Sequence, residues 1–311
     1  MLACWVCLGP EPPDSPDGPY HVACLVALFG VPRLPRIHMA LADIPAVATV
    51  AAGKISISGA QRKALVRLSR RKTRLLPARK VSTYLLKPQL ETYSNVPENE
   101  HASMCAARLV GLETPPLGLI RLADGSLAYL VKRYDRTDDA PPLKLAQFDF
   151  CQLAGRPSNQ RGAGTAEECA WLVGKFATDP AAEKRRLFRH LLFAYWMGNG
   201  DLHLKNLSML RGLDGRYCLA PAYDMVSTWV YRDRTMTMAV NGRNKDLRRE
   251  HWLSFATEHA AIPLPEADSI LRGMLAQTGA VLSLLERSLL PEALRKDFQR
   301  VIRKRARALN A

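Results

Sequence analysis

The 311 residues carry 44 Lys and Arg against 29 Asp and Glu, a formal net charge of +15. With 48% hydrophobic and 23% charged residues, the chain reads as globular, with core enough for one large or two modest domains, and not as a disordered segment. No apolar run reaches the ~18 residues of a membrane span, and the opening MLACWVCLGP lacks a signal peptide's basic lead, so a cytoplasmic protein with no membrane partner is expected.

In chain order, C-W-V-C comes first and Y-H-V-A-C follows it. Cys4, Cys7, His21 and Cys24 thus form two x2-spaced pairs that suit tetrahedral zinc, or else pack as thiols of a small lobe. Cys105, Cys151, Cys169 and Cys218 are scattered and expected as buried hydrophobes. Residues 8–20 are a Pro/Asp/Gly loop, and HVACLVALFG is a short helix closing at Gly30. From Lys54 the pattern turns strand-like through KISISGAQRKALVRL and TRLLPARKVSTYLLK, the second strand ending at Lys87. A helix follows Pro97 in ENEHASMCAARLVGL. PLGLIRL and SLAYLVKRYDR then flank an Asp124–Gly125 hairpin signal.

Past Asp138 the texture changes. Residues 155–167 read as a polar loop, and CAWLVGKFA and EKRRLFRHLLFAYWMGN as helices. Short strands are expected near LSML and YCLAPAYD, then helices over Trp252–Ala261, Glu266–Leu285 and Pro291–Leu309. On the last, Leu294, Phe298, Val301 and Ile302 share a face and basic residues fill the rest. That helix and the basic run Arg67–Lys80 are either solvated surface or contacts for a polyanion. A β-rich half leading into an α-rich half is an α+β, two-lobed pattern.

The segment GNGDLHLKN carries the chemistry. Asp201 and Asn206 have the D-x4-N spacing of a kinase catalytic loop, and Asp224 follows in AYDMVS, at the expected end of a strand. Phosphoryl transfer needs a carboxylate at the nucleophile's proton, oxygen ligands for Mg2+ and a cation at the phosphates. His203 lies where charge would develop, while Lys205 is equally well a solvated side chain. Lys87 ends its strand and Glu100 opens the next helix, so the two could pair. In SISGAQRK, Gly59 permits close backbone approach to a phosphate and Lys63 adds charge, although an ordinary hairpin turn would look the same.

SISGAQRK, LLKP, ENEHASM, VKRYDR, GNGDLHLKN and APAYDMVS occur in one order that closely resembles the HipA-type serine/threonine kinases, toxins of bacterial toxin–antitoxin systems. The chain looks most like the short HipT toxins, and its short lead before SISGAQRK fits them. The resemblance implies a two-lobed protein-kinase-like fold. Residues 1–50 would be a Cys/His segment, 51–137 the β-rich N-lobe and 138–311 the helical C-lobe. It implies ATP and Mg2+, with Asp201 as catalytic Asp, His203 beside the phosphates, and Asn206 and Asp224 on the metal. Lys87 would contact the α/β-phosphates, and Gly59, Gln61 and Lys63 would line the Gly-rich loop. Lys132 stands where many relatives are acidic, which leaves the adenine hinge to the backbone of Arg133 or Tyr134. Asp149 and Gln152 match a D-x-x-Q element on the substrate side. Ser56 and Ser58 match autophosphorylation sites, and a phosphate there would repel nucleotide. The implied partners are a small HipS-like protein and a HipB-like DNA-binding antitoxin, through which DNA contact would be indirect. The implied substrate is an aminoacyl-tRNA synthetase. A small-molecule kinase of the aminoglycoside or choline type, and an inactive kinase-like DNA-binding co-repressor subunit, are the rival readings.

Overall fold

β-Branched and leucine-rich runs between Ala64 and Lys132 supply five strands of a six-stranded sheet, which a short upstream strand completes. The computed structural model describes residues 3–10, 17–44, 63–78, 81–139 and 141–310. The strands are β1 (Arg36–Ile37), β2 (Ala64–Leu68), β3 (Arg74–Pro77), β4 (Tyr84–Pro88), β5 (Leu117–Arg121) and β6 (Leu127–Lys132). Their spatial order is β1-β3-β2-β4-β6-β5, antiparallel except for β1 beside β3. β1 has only two residues, too short for any periodicity to announce it. The expected hairpin is present. Gly125 takes φ 85°, and Asp124 accepts hydrogen bonds from the Ser126 N–H (3.0 Å) and hydroxyl (2.6 Å).

Helix α1 (Val22–Phe29) stops at Gly30, whose left-handed φ of 69° lets its N–H reach Val26 O at 2.8 Å. Helix α2 (Val96–Leu109) holds Pro97 in its first turn, where a missing N–H costs little. Its Asn99, Glu100, His101 and Ser103 are all buried, an unusually polar interior for a helix.

The chain divides into two compact units. The first takes residues 1–106, 115–143 and 283–295, and the second takes 107–114, 144–282 and 296–311. In the second, β7 (Ala146–Asp149), β8 (Ser208–Arg211) and β9 (Tyr217–Leu219) form an antiparallel sheet in that order. Helices α3 (Phe150–Leu153), α4 (Ala166–Phe176), α5 (Pro180–Trp196), α6 (Arg249–Glu258) and α7 (Leu264–Ala276) surround an aromatic core. Phe188 of α5 lies 6.3 Å edge-on to Trp252 of α6, and Tyr195 lies 5.7 Å from the same indole. α8 (Thr278–Glu286) and α9 (Glu292–Asn310) each draw residues from both units.

Several elements depart from expectation. α4 starts at Ala166 rather than near Cys169, because the Thr165 hydroxyl accepts the Glu168 N–H at 3.2 Å and caps it. The single helix expected over Glu266–Leu285 is two: Gln277 closes α7 against Met274 O, and α8 restarts at Thr278. β9 ends at Leu219, so Asp224 stands in a loop and not at a strand end. On α9, Phe298, Val301 and Ile302 are buried, but Leu294 only partly. Arg305 joins that buried face and stacks 4.2 Å over the Tyr195 ring, so not every basic residue of α9 is solvated. Cys105, Cys151 and Cys169 are buried, whereas Cys218 is only half-buried. Among the described residues, no helix is long and apolar enough to cross a membrane.

Candidate active site

The second unit gathers the D-x4-N loop. α5 ends at Trp196, and Gly198, at φ 83°, turns the chain. A Cβ at Gly198 would meet Trp229 Cβ at 2.9 Å, and one at Gly200 would meet Thr235 O at 2.5 Å. Both glycines of G-N-G are thus required by close approach. The Ser227 hydroxyl donates to Met197 O at 2.8 Å, the Trp229 N–H to Gly198 O at 3.1 Å, and the Gly200 N–H to the Thr228 hydroxyl at 2.8 Å. On the other side, Thr237 donates to Gly200 O through its N–H (2.9 Å) and its hydroxyl (2.7 Å). Ser227, Thr228 and Thr237 therefore strap the loop that presents Asp201. Ser227 closes the APAYDMVS motif, while Thr228 and Thr237 carry no sequence signal beyond being polar residues in a largely apolar stretch.

Asp201 is half-buried and donates its N–H to Asn199 Oδ1 at 2.9 Å. Asn206, fully buried, takes the His203 N–H on Oδ1 at 3.1 Å and gives Nδ2 to Asp224 Oδ2 at 3.0 Å. Two residues 18 positions apart are brought side by side. Asp224 adopts φ 59°, the left-handed region. The contact is between the Asn206 amide nitrogen and an Asp224 oxygen, while Asn206 Oδ1 is held by the His203 N–H; the side-chain oxygens of these two residues are of the hard type Mg2+ prefers.

His203 is buried, and neither ring nitrogen has a partner among the described residues. Burial, helped by the Arg161 charge, pushes its pKa down to about 4, so the ring is neutral at pH 7. Burial, helped by Arg186, does the same to His190 of α5, also about 4. The folded state thus binds these protons more weakly than the unfolded state, whose imidazoles titrate near 6.5. Stability is unaffected above pH 6.5, falls as pH drops below it, and levels off below about 4. Each ring contributes up to about 1.4 kcal/mol per pH unit in that window. Urea midpoints at pH 7, 6 and 5 should decline accordingly, and less steeply in His190→Gln.

Asp149 and Gln152 hydrogen-bond each other's N–H groups, at 2.8 and 2.9 Å. This capping box opens α3 and by itself accounts for their D-x-x-Q spacing. Lys205 Nζ reaches the Ser158 hydroxyl at 3.2 Å.

In the first unit, Lys87 on β4 and Glu100 on α2 form an ion pair at 2.6 Å, their side chains only 4% and 1% exposed. The Lys87 ammonium also sits 5.7 Å from the ring of Tyr129, its cross-strand neighbour on β6. Arg133 grips Asp135 bidentately (2.9 and 2.7 Å) and donates to the Ser82 hydroxyl (2.9 Å), while its backbone N–H is taken by Thr83 O. Burial would raise the Asp135 carboxyl, but Arg133 and Arg136 outweigh it and hold the carboxyl below its usual range. Lys132, the last residue of β6, pairs with Asp138 at 2.5 Å, and Tyr134 lies two residues past the strand. Lys63 immediately precedes β2. Ser56, Ser58, Gly59 and Gln61 lie outside the described residues.

The four N-terminal ligand candidates also converge: one donor atom each from Cys4, Cys7, His21 and Cys24 lies within 4.8 Å of all the others. The Cys4 thiol is held well below its ordinary range by the Cys24 thiol and then by Cys7, while Cys24 is pushed up by its own contacts with Cys4 and then Cys7.

A strand lysine paired to a helix glutamate, with a D-x4-N loop and a following aspartate, defines a protein-kinase-like α+β fold. The chain belongs to the family of the HipA-like C-terminal domain, whose model matches residues 55–282. A chain from the Shewanella oneidensis complex of HipA, HipB and operator DNA shares the fold at a TM-score of 0.71, with 19% identity, over 86% of this chain and 67% of that one. "Putative kinase Y4mE" of Sinorhizobium fredii is 32% identical over 81% of this chain. "Serine/threonine-protein kinase toxin HipA" of Shewanella oneidensis is 24% identical over 60% of this chain. The chain spans 62% of the length of the first and 46% of the second.

Proposed function

We propose that this chain is an ATP- and Mg2+-dependent serine/threonine protein kinase and the toxin of a toxin–antitoxin system. The observation that carries this reading is the Asn206–Asp224 pair at 3.0 Å, joined to Asp201 through one strapped loop. The names of the relatives, kinases and a serine/threonine kinase toxin among them, point the same way. Bound Mg2+ would neutralise charge on the phosphate oxygens, and Asn206 and Asp224 would hold it. Asp201 accepts the proton of the substrate hydroxyl as its oxygen attacks the γ-phosphorus, the bond from that phosphorus to the β,γ-bridging oxygen breaks, and ADP leaves with the electron pair. Lys87, oriented by Glu100, meets the α/β-phosphates. His203, neutral, offers a hydrogen bond and no charge. Lys63 with Gly59 and Gln61 lines the phosphate loop, and the hinge at Arg133 and Tyr134 takes the adenine.

The finer reading is that of the short HipT toxins, acting in the cytoplasm on an aminoacyl-tRNA synthetase. HipB is present with HipA and operator DNA in the Shewanella complex, which supports a HipB-like antitoxin here and DNA contact through it; a HipS-like protein would be the third component. Lysate incubated with labelled ATP should show one strong labelled substrate with wild type and none with Asp201→Asn. A substrate that is a small molecule, not a protein, would overturn the reading. Ser56 and Ser58 serve as autophosphorylation sites that expel nucleotide. Ser56→Ala/Ser58→Ala should lose self-labelling and keep transfer to substrate, and labelling that persists on the same peptide would exclude them.

A further inference from the structure

We propose that Cys4, Cys7, His21 and Cys24 form a structural zinc centre that fastens the N-terminal segment to the edge of the six-stranded sheet. The four donor atoms already converge within 4.8 Å of one another. Around tetrahedral zinc, with bonds of about 2.3 Å to sulfur and about 2.0 Å to nitrogen, neighbouring donors lie about 3.5–3.8 Å apart. His21 Nδ1 stands 3.4 Å from Cys7 Sγ and 3.7 Å from Cys24 Sγ. The other imidazole nitrogen, Nε2, lies 2.9 Å from Pro10 O. With the proton on Nε2 donated to that carbonyl, the Nδ1 lone pair faces the sulfurs, the outer hydrogen bond that commonly orients a metal-binding histidine.

The backbone is arranged for thiolates. The Gly9 N–H points at Cys7 Sγ (3.3 Å) and the His21 N–H at Cys4 Sγ (3.4 Å). Between them the chain closes a tight knuckle, with Leu8 N–H on Cys4 O and Cys4 N–H on Gly9 O. A Cβ at Gly9 would fall 3.1 Å from Cys7 Sγ, so glycine leaves the cluster its room. Three sulfurs and one nitrogen are soft donors that select zinc over Mg2+ or Ca2+. The protein supplies all four positions, which marks a structural site and not a catalytic one.

The knuckle is also docked. The Leu119 N–H of the edge strand β5 donates to Trp5 O at 2.7 Å, and the Tyr20 hydroxyl donates to Leu119 O at 2.9 Å. The metal would thereby secure the cover of an otherwise open sheet edge. Val6 O lies 3.3 Å from His101 Nε2 and accepts from Cys105 Sγ at 3.4 Å, both on α2, the helix that carries Glu100.

The full chain purified without chelator should contain about one zinc per molecule by elemental analysis, reduced to below about a tenth in Cys7→Ser/Cys24→Ser and unchanged in Cys218→Ser. Should the double variant not fold, wild type reconstituted with Co2+ supplies the second reading: intense thiolate-to-cobalt absorption with the visible bands of a tetrahedral site. Wild type without zinc and without that spectrum after reconstitution overturns the proposal. So do iron in its place or a disulfide among these cysteines by mass spectrometry.

Discussion

Asp201→Asn should lower phosphoryl transfer by about 10²–10⁴-fold, the contribution of a positioned general base, without a matching loss of stability. The exchange keeps shape and removes only the charge and the proton-accepting oxygen. The loop's backbone is held by Thr228, Trp229 and Thr237, and the Asp201 N–H rests on Asn199 Oδ1. Labelled-ATP turnover beside a thermal melt separates the two effects. Wild-type turnover in the variant would remove Asp201 from the reaction, and a collapsed melt would recast it as structural.

The Lys87–Glu100 pair should give the largest stability effect. Glu100→Leu alone takes the carboxylate away from a buried ammonium, in a site where the two side chains are 4% and 1% exposed, and losing one member of a buried pair costs about 3–5 kcal/mol. Lys87→Met/Glu100→Leu should recover most of that loss, because two apolar side chains of similar volume owe no desolvation. Activity should not recover, since in the proposed reaction Lys87 is the cation that would meet the phosphates. Denaturant titration of the wild type, the two single variants and the double variant reads the coupling directly. A double variant as unstable as the sum of the singles would mean the pair adds nothing of its own.

The site was legible in the sequence where its parts are local. D-x4-N sits within six residues, and a lysine ending an apolar run before a helix glutamate needs only a strand and a turn to meet. The hairpin at Asp124–Gly125 is equally local. What sequence did not show is held by distance or by competition. The strap joins Met197 to Ser227, Gly198 and Gly200 to Thr228, and Gly200 to Thr237, between residues far apart in the chain, and hydroxyl-to-carbonyl bonds leave no periodicity. β7 pairs Gln147 with Leu210 and is too short to announce itself. The break at Gln277 interrupts a helical pattern whose apolar spacing continues into α8. Arg305 reads in the sequence only as one of the basic residues that are either solvated or in contact with a polyanion, because its charge is visible there while the tyrosine face that receives it is not.

The left-handed backbone at position 224 limits what can stand there. Gly, Asn and Asp enter φ near 59° most readily, and among these only Asp brings a formal charge. Conformation has thus narrowed the alphabet before chemistry chooses from it. Asp224→Asn deletes the charge while keeping the bend. Asp224→Ala would add about 1–2 kcal/mol of backbone strain to the lost carboxylate and confuse the two.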